Sequence, residues 1–189
     1  MSGRNYSLEF AQAMDLLLEL EGGYGRKLIA LPGDPGGETY CGITAGSWIA
    51  WRARTGREFK SLAQATQSEV EAFYWDEYWT ALHCDRLLWP ASAVYFQCAV
   101  NLDPVSAMRC LQIAALARPI DGVWGPMTYR SIQTVAPPWL AVGILAVQSA
   151  FYAFHPERYE AGLQARVARV HAWLDETQRR EAGRQTRQS

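Results

Sequence analysis

No C-x-x-C pair, no H-E-x-x-H and no other close spacing of ligating side chains occurs in the 189 residues. The histidines are only three, His83, His155 and His171, so the sequence offers no metal site. His83 and Cys84 are chain neighbours, and neighbours seldom aim at each other as a Cys–His catalytic pair must. Cys41, Cys84, Cys98 and Cys110 read as buried free thiols, with one or two bridges left open for an oxidising compartment. An excess of either charge is also missing. Eighteen Lys and Arg against nineteen Asp and Glu give a net charge of −1, without the basic footprint that nucleic-acid binding needs. Residues 1–24 show no signal peptide, because Glu9, Asp15, Glu19 and Glu21 interrupt any apolar stretch. One uncharged stretch of twenty residues, Val135–Phe154, is broken at Pro137-Pro138. What remains from Trp139 is short for a bilayer span and predicts a buried central helix.

What is present is apolar and aromatic. Apolar residues make up 49% of the chain and charged ones 20%, the balance of a folded globular protein rather than a disordered one. Eight Trp and nine Tyr serve either a core or a sugar-binding groove.

The periodicity predicts helices over Leu8–Leu20, Ala45–Thr55, Thr66–Trp79 (opened by a Thr66-Gln67-Ser68-Glu69 capping box), Ser92–Asn101, Pro104–Ala117 and Glu157–Asp175. Gly22-Gly23 ends the first. Ser92 is expected to cap the fourth, and a polar, frayed tail is expected over 176–189. Gly, Pro and Thr crowd the segment 31–46, which reads as turns and a short hairpin. The fold class is therefore mostly α, with a small irregular or β-hairpin segment near residues 30–44.

Glu21 is the carboxylate that looks poised. It follows Met14 by seven and Leu17 by four, which puts it on their face of the first helix. An apolar wall and the negative end of the helix dipole would both favour its neutral form, as a general acid requires. Glu19 lies roughly 200° around the helix and cannot share the cleft. The alternative is a surface cap. Asp34 is the only acid between Glu21 and Glu38, and two facing carboxyls are the equipment of glycoside hydrolysis. Asp34 also suits an Asx-turn before Pro35. The hydroxyls of Thr39 and Thr44 offer hydrogen bonds to a water. In Phe73–Trp79, five rings on two turns cannot all enter a core. Tyr78 is preferred as a glycan-stacking residue, with Trp79 and Tyr24 as groove or support residues.

These blocks carry a resemblance. Glu21-Gly22-Gly23-Tyr24, Asp34-Pro35-Gly36-Gly37-Glu38-Thr39 and Gly42-Ile43-Thr44 resemble glycoside hydrolase family 108, lysozyme-like N-acetylmuramidases that include phage endolysins and toxin-secretion muramidases. Tyr74, Tyr78-Trp79 and Asp85 continue the match. Leu111-Gln112 and Asp121-Gly122-Val123-Trp124-Gly125-Pro126-Met127-Thr128 resemble the peptidoglycan-binding region that follows in such proteins. On residues alone, that second glycine turn is either a packing corner or a contact surface.

The resemblance implies a lysozyme-like helical fold, with a muramidase region over 1–95 and a peptidoglycan-binding-like region over 96–170 packed onto it. It makes Glu21 the catalytic acid. Similarity to the Glu–Asp–Thr set of phage-type lysozymes extends the site to Asp34 and Thr39. No cofactor is implied. The expected partner is the peptidoglycan glycan strand, met by a monomer that leaves the bacterial cytoplasm through a holin or secretion machinery. Departures are Gly25–Gly33, which replaces a polar stretch, Cys41 in place of an aromatic or Asn, and Asn101-Leu102-Asp103, which lacks a glycine. A non-catalytic peptidoglycan-binding protein is the rival reading. A cell-wall amidase or peptidase would need the zinc cluster or Cys–His pair that the chain lacks.

Overall fold

The computed structural model describes residues 5–24, 39–153 and 157–186, the side chains at 157–160 and 185–186 excepted. It is mostly α, as the periodicity predicts, with eight α-helices and one antiparallel pair of two-residue strands among the described residues. Contacts divide the chain into two compact units, Met1–Ala81 and Leu82–Ser189.

In the first unit, α1 (Leu8–Glu21) starts where the Ser7 hydroxyl accepts the Phe10 N–H. It buries Phe10, Ala13, Met14, Leu16, Leu17 and Leu18. Of the face that spacing suggests, Leu8, Ala11, Met14, Leu17 and Leu18, the last three are buried, while Leu8 and Ala11 are exposed in the first turn. Strands β1 (Thr39–Tyr40) and β2 (Ile43–Thr44) form the hairpin, in register Thr39 to Thr44 and Tyr40 to Ile43. Helix α2 (Ala45–Arg54) follows directly, and α3 (Gln67–Tyr74) opens on the expected Thr66–Glu69 capping box.

The next six residues, Trp75–Thr80, widen into a π-helical turn, where the sequence predicts a continuous α-helix. Two aromatic groups close the core. Trp48, Trp51 and Phe73 form one, and Phe10, Trp75 and Trp79 form the other.

Glu69 ties this unit together electrostatically. Its carboxylate accepts from Lys60 at 2.6 Å, Arg52 at 2.9 Å and the Thr66 backbone at 2.9 Å. Burial alone would raise its pKa, but these donors outweigh it and hold the group down at about 2. A folded value below the unfolded one means the stabilisation is present above the unfolded pKa and is lost as pH falls from about 4.5 towards 2. Glu69→Gln is expected to lower stability at pH 7 by about 2 kcal/mol and to flatten the acid limb of the melting curve, read from thermal unfolding between pH 2 and 7.

In the second unit α4 (Ala91–Asn101) is buried at every residue from Ala91 to Ala99. It packs with α5 (Pro104–Ala114) against α7 (Pro137–Tyr152), which also meets α8 (Glu157–Thr186). The uncharged run is thus a packed helix, with the two prolines in its first turn rather than breaking it. Among the described residues no single helix is long and apolar enough to cross a membrane.

A chain of buried polar groups crosses this core. Gln97 donates to Gln148 at 2.9 Å, Gln148 to Tyr152 at 2.6 Å, and the Tyr152 hydroxyl meets Asn101. Ser92 does not cap α4. Helix α4 begins one residue earlier, after Pro90, and the Ser92 hydroxyl is buried inside it. Asp103 caps α5 instead, accepting from the Val105 and Ser106 N–H groups at 2.9 Å.

The Asp121–Thr128 turn is held from inside by Gln112. Its amide nitrogen lies 2.9 Å from Asp121, 3.0 Å from the Val123 carbonyl and 3.1 Å from Thr128. Its oxygen accepts the Gly122 N–H at 2.9 Å. Trp124 stacks on His83 at 4.7 Å. A packing corner accounts for these contacts. Short α6 (Pro126–Ile132) runs on from it. α8 continues to Thr186, past Asp175, so the helix includes most of the expected tail. Its last buried residue is Leu174, and the apolar stripe marks the end of burial, not of the helix.

Candidate active site

Glu21 is the last residue of α1 and is half-buried. Gly22 caps the helix in the left-handed conformation (φ 90°), and the Gly23 N–H returns to the Leu18 carbonyl at 2.7 Å. This tight stop leaves the Glu21 carboxyl against the tip of the β1–β2 hairpin. That tip is Cys41-Gly42, with φ 50° and 80°, the doubly left-handed two-residue turn that suits the twist of a hairpin.

Gly42 matters beyond its φ. A Cβ placed there would lie 2.9 Å from the Tyr74 hydroxyl and 3.3 Å from the Glu21 carboxylate oxygen. The carboxyl, the turn and the phenol therefore converge on one point. Gly42→Ala is expected to cost roughly 1–3 kcal/mol in thermal unfolding, through left-handed strain and this crowding together.

Each neighbour is fixed in turn. Tyr74, the final residue of α3 and 1% exposed, donates its hydroxyl to the Cys41 carbonyl at 2.6 Å. The Cys41 thiol points to the Gly23 carbonyl at 3.8 Å. Burial pushes this thiol up from its usual range and the Glu21 charge pushes the same way, against a hydrogen bond with Tyr40 that lowers it. It therefore stays a neutral thiol at neutral pH.

The Tyr40 hydroxyl donates to the Tyr24 carbonyl at 3.1 Å, and the Tyr24 hydroxyl to Glu71 at 3.2 Å. Burial first, then the Glu71 charge, pushes the Tyr24 phenol far up. Tyr24 is thus a brace from the end of α1 to α3 and the hairpin. It also borders a cavity of about 130 Å³ that includes Met14, Asp15, Leu18 and Glu71.

The sequence-predicted residues separate into groups. Thr39 is half-buried and faces Thr44 across the hairpin. The Thr44 hydroxyl, expected to hold water, accepts the Ser47 N–H at 3.2 Å and caps α2, so its lone pairs are partly committed to the fold. Tyr78 is half-buried, with its ring 5.6 Å from Tyr74 and burial raising its phenol. Of the two readings for Trp79, groove or support, burial leaves support. The ring is 2% exposed and packed on Phe10 at 5.4 Å, because the π-turn directs it into the core; it has no open ring face for a sugar. Asp34 lies outside the described residues.

Tyr74, Cys41 and Gly42 stand in or beside the motifs that carry the resemblance, but none was picked as a site residue. The signal for the turn is Thr-Tyr-Cys-Gly-Ile-Thr, two β-prone pairs around a two-residue linker ending in glycine. Nothing in the sequence placed that turn on Glu21.

The family model of glycosyl hydrolase 108 matches residues 14–102, a span that holds Glu21, the hairpin turn and Tyr74. A solved structure, "Structure of Brucella abortus SagA", is similar over most of this chain's length. It has a TM-score of 0.73 and 25% sequence identity, and the match covers 87% of this chain and 92% of that one. No curated protein matches. The matched segment is thus similar to a family of glycosyl hydrolases. It spans the whole Glu21 cluster and, beyond the first unit, reaches α4 in the second.

Proposed function

We propose that this protein is a peptidoglycan N-acetylmuramidase, cutting the β-1,4 bond between N-acetylmuramic acid and N-acetylglucosamine. One observation carries the reading. In a segment that matches the glycosyl hydrolase 108 family model, a half-buried carboxyl ends the first helix and rests on a turn whose glycine leaves it room.

Glu21 is the proton donor. Its proton passes to the bridging oxygen as the bond to the sugar carbon breaks, and the developing oxocarbenium charge calls for a second carboxylate. Asp34 fills that role in this proposal. Thr39 positions the water whose hydroxyl completes the new anomeric centre. Tyr78, half-buried, stacks on a sugar face, and Tyr24 supports the wall behind Glu21. Thr44 acts through the same hairpin by starting α2. Two carboxyls suffice for this chemistry, and the proposal includes no cofactor.

The partner is the glycan strand. The enzyme works as a monomer in the cell wall and leaves the bacterial cytoplasm by way of a holin or secretion machinery. Mass spectrometry of digested sacculi tests the proposal. Muropeptides ending in reducing N-acetylmuramic acid are expected. Free stem peptides, reducing N-acetylglucosamine ends or undigested sacculi would contradict it.

A further inference from the structure

Three segments distant in sequence converge around Gly42, where an added Cβ would crowd both the Tyr74 hydroxyl and the Glu21 carboxyl: the end of α1, the Cys41-Gly42 turn and the last residue of α3. The hairpin that carries the turn has two residues per strand, too few to hold a conformation by pairing alone. Its fixed position therefore depends on its anchors. These include the Tyr74 hydroxyl to the Cys41 carbonyl at 2.6 Å, the Tyr40 hydroxyl to the Tyr24 carbonyl at 3.1 Å and the Cys41 thiol to the Gly23 carbonyl at 3.8 Å.

The Tyr74 bond is the shortest of these and the one made to the turn's own backbone from another element. The phenol is itself held rigidly. It is 1% exposed, edge-on to Phe73 at 5.5 Å and tilted against Tyr78 at 5.6 Å, where α3 passes into the π-turn. The same oxygen would lie 2.9 Å from a Cβ added at Gly42, and the Glu21 carboxylate oxygen 3.3 Å from it. A buried phenol hydroxyl needs a partner wherever it lies. Here that partner is the peptide on which the catalytic carboxyl rests.

We propose that Tyr74 is a positioning residue for Glu21: its hydroxyl fixes the Cys41-Gly42 turn that sets where the carboxyl points. The proposal builds on the muramidase reading. Tyr74 does not touch substrate. Its effect passes through the turn, so it changes the rate of the chemical step and leaves glycan affinity alone.

The test compares wild type, Tyr74→Phe, Glu21→Gln and the double variant on purified sacculi and on soluble muropeptide chains. Tyr95→Phe, which removes another buried phenol hydroxyl from the second unit, is the control. Tyr74→Phe is expected to lower kcat roughly 10- to 100-fold with KM within about twofold, the loss that a small misplacement of a catalytic group brings. In the Glu21→Gln background it is expected to add no further loss, because both changes act on one group. Tyr95→Phe is expected to keep wild-type kcat.

A readout without substrate accompanies these rates. N-ethylmaleimide labelling of Cys41, counted by peptide mass spectrometry against Cys84, Cys98 and Cys110, is expected to quicken several-fold in Tyr74→Phe as the turn loosens. A kcat within twofold of wild type, a loss appearing in KM, or an equal loss in the Glu21→Gln background would overturn the role of Tyr74. If wild type releases no glycan products, the muramidase reading fails by itself, and Cys41 labelling then decides. Faster labelling in Tyr74→Phe sustains the hold of Tyr74 on the turn, and unchanged labelling overturns it.

Discussion

Glu21→Gln is expected to slow murein hydrolysis roughly 10²- to 10⁴-fold, the contribution of a positioned general acid. The amide keeps the size and most hydrogen bonds of the carboxyl but has no acidic proton to give to the bridging oxygen. Folding should survive the change. α1 is ended by Gly22 and Gly23, which return to the Leu18 carbonyl, and its buried stripe is Phe10, Ala13, Met14 and Leu17. The melting temperature is therefore expected to move by only a few degrees. Glu21→Asp makes the complementary point. It keeps the acid but withdraws it by one methylene from the Gly42 turn, so the rate should fall on geometry alone. Reducing-end release from sacculi, with thermal unfolding alongside, checks both. A Glu21→Gln protein with wild-type turnover would move the acid elsewhere.

Trp79→Ala is expected to behave as a core deletion, not as the loss of a sugar platform. The ring is 2% exposed and meets Phe10 at 5.4 Å and Trp75 at 6.5 Å. Emptying such a site costs roughly 3–5 kcal/mol, from lost transfer energy plus the cavity left behind. Domains are stable by only about 5–15 kcal/mol, so much of the margin disappears. Denaturant unfolding should show the midpoint falling sharply with little change in slope. Tyr78→Ala is the contrast. The ring is half-buried, its truncation costs less stability, and in the proposed function it raises KM for glycan chains. A stable Trp79→Ala protein with a raised KM would return Trp79 to the groove.

These two residues show what sequence alone conveys here. Local signals were legible because their physics is local. Ser7, Thr66 and Asp103 accept N–H groups of the turns that follow them, and Gly22 takes the left-handed cap that glycine permits. Thr66 and Gly22 announce themselves in the chain. Ser92 was misleading for the same reason: its type suits a cap, but helix α4 starts earlier and buries it. The π-turn at Trp75–Thr80 leaves no periodic mark, and Trp79 within it is buried, which keeps the support reading and removes the groove one. The end of α8 was placed near Asp175 because Leu174 is its last buried residue, while exposed helix beyond it is held by propensity and by pairs such as Glu176 with Arg180.

At the site, Glu21 was visible from its helix position and its E-G-G-Y context. Its seat was not. Tyr74, Cys41 and Gly42 reach Glu21 from 20 to 53 positions along the chain, a convergence set by packing of α1, the hairpin and α3 rather than by any spacing.

The most direct test is a crystal structure of the Glu21→Gln protein with a bound muropeptide chain. The side chain at position 21 is expected within about 3 Å of a bridging oxygen between N-acetylmuramic acid and N-acetylglucosamine, the reach of a general acid. A chain bound with that side chain far from every glycosidic oxygen would contradict the account.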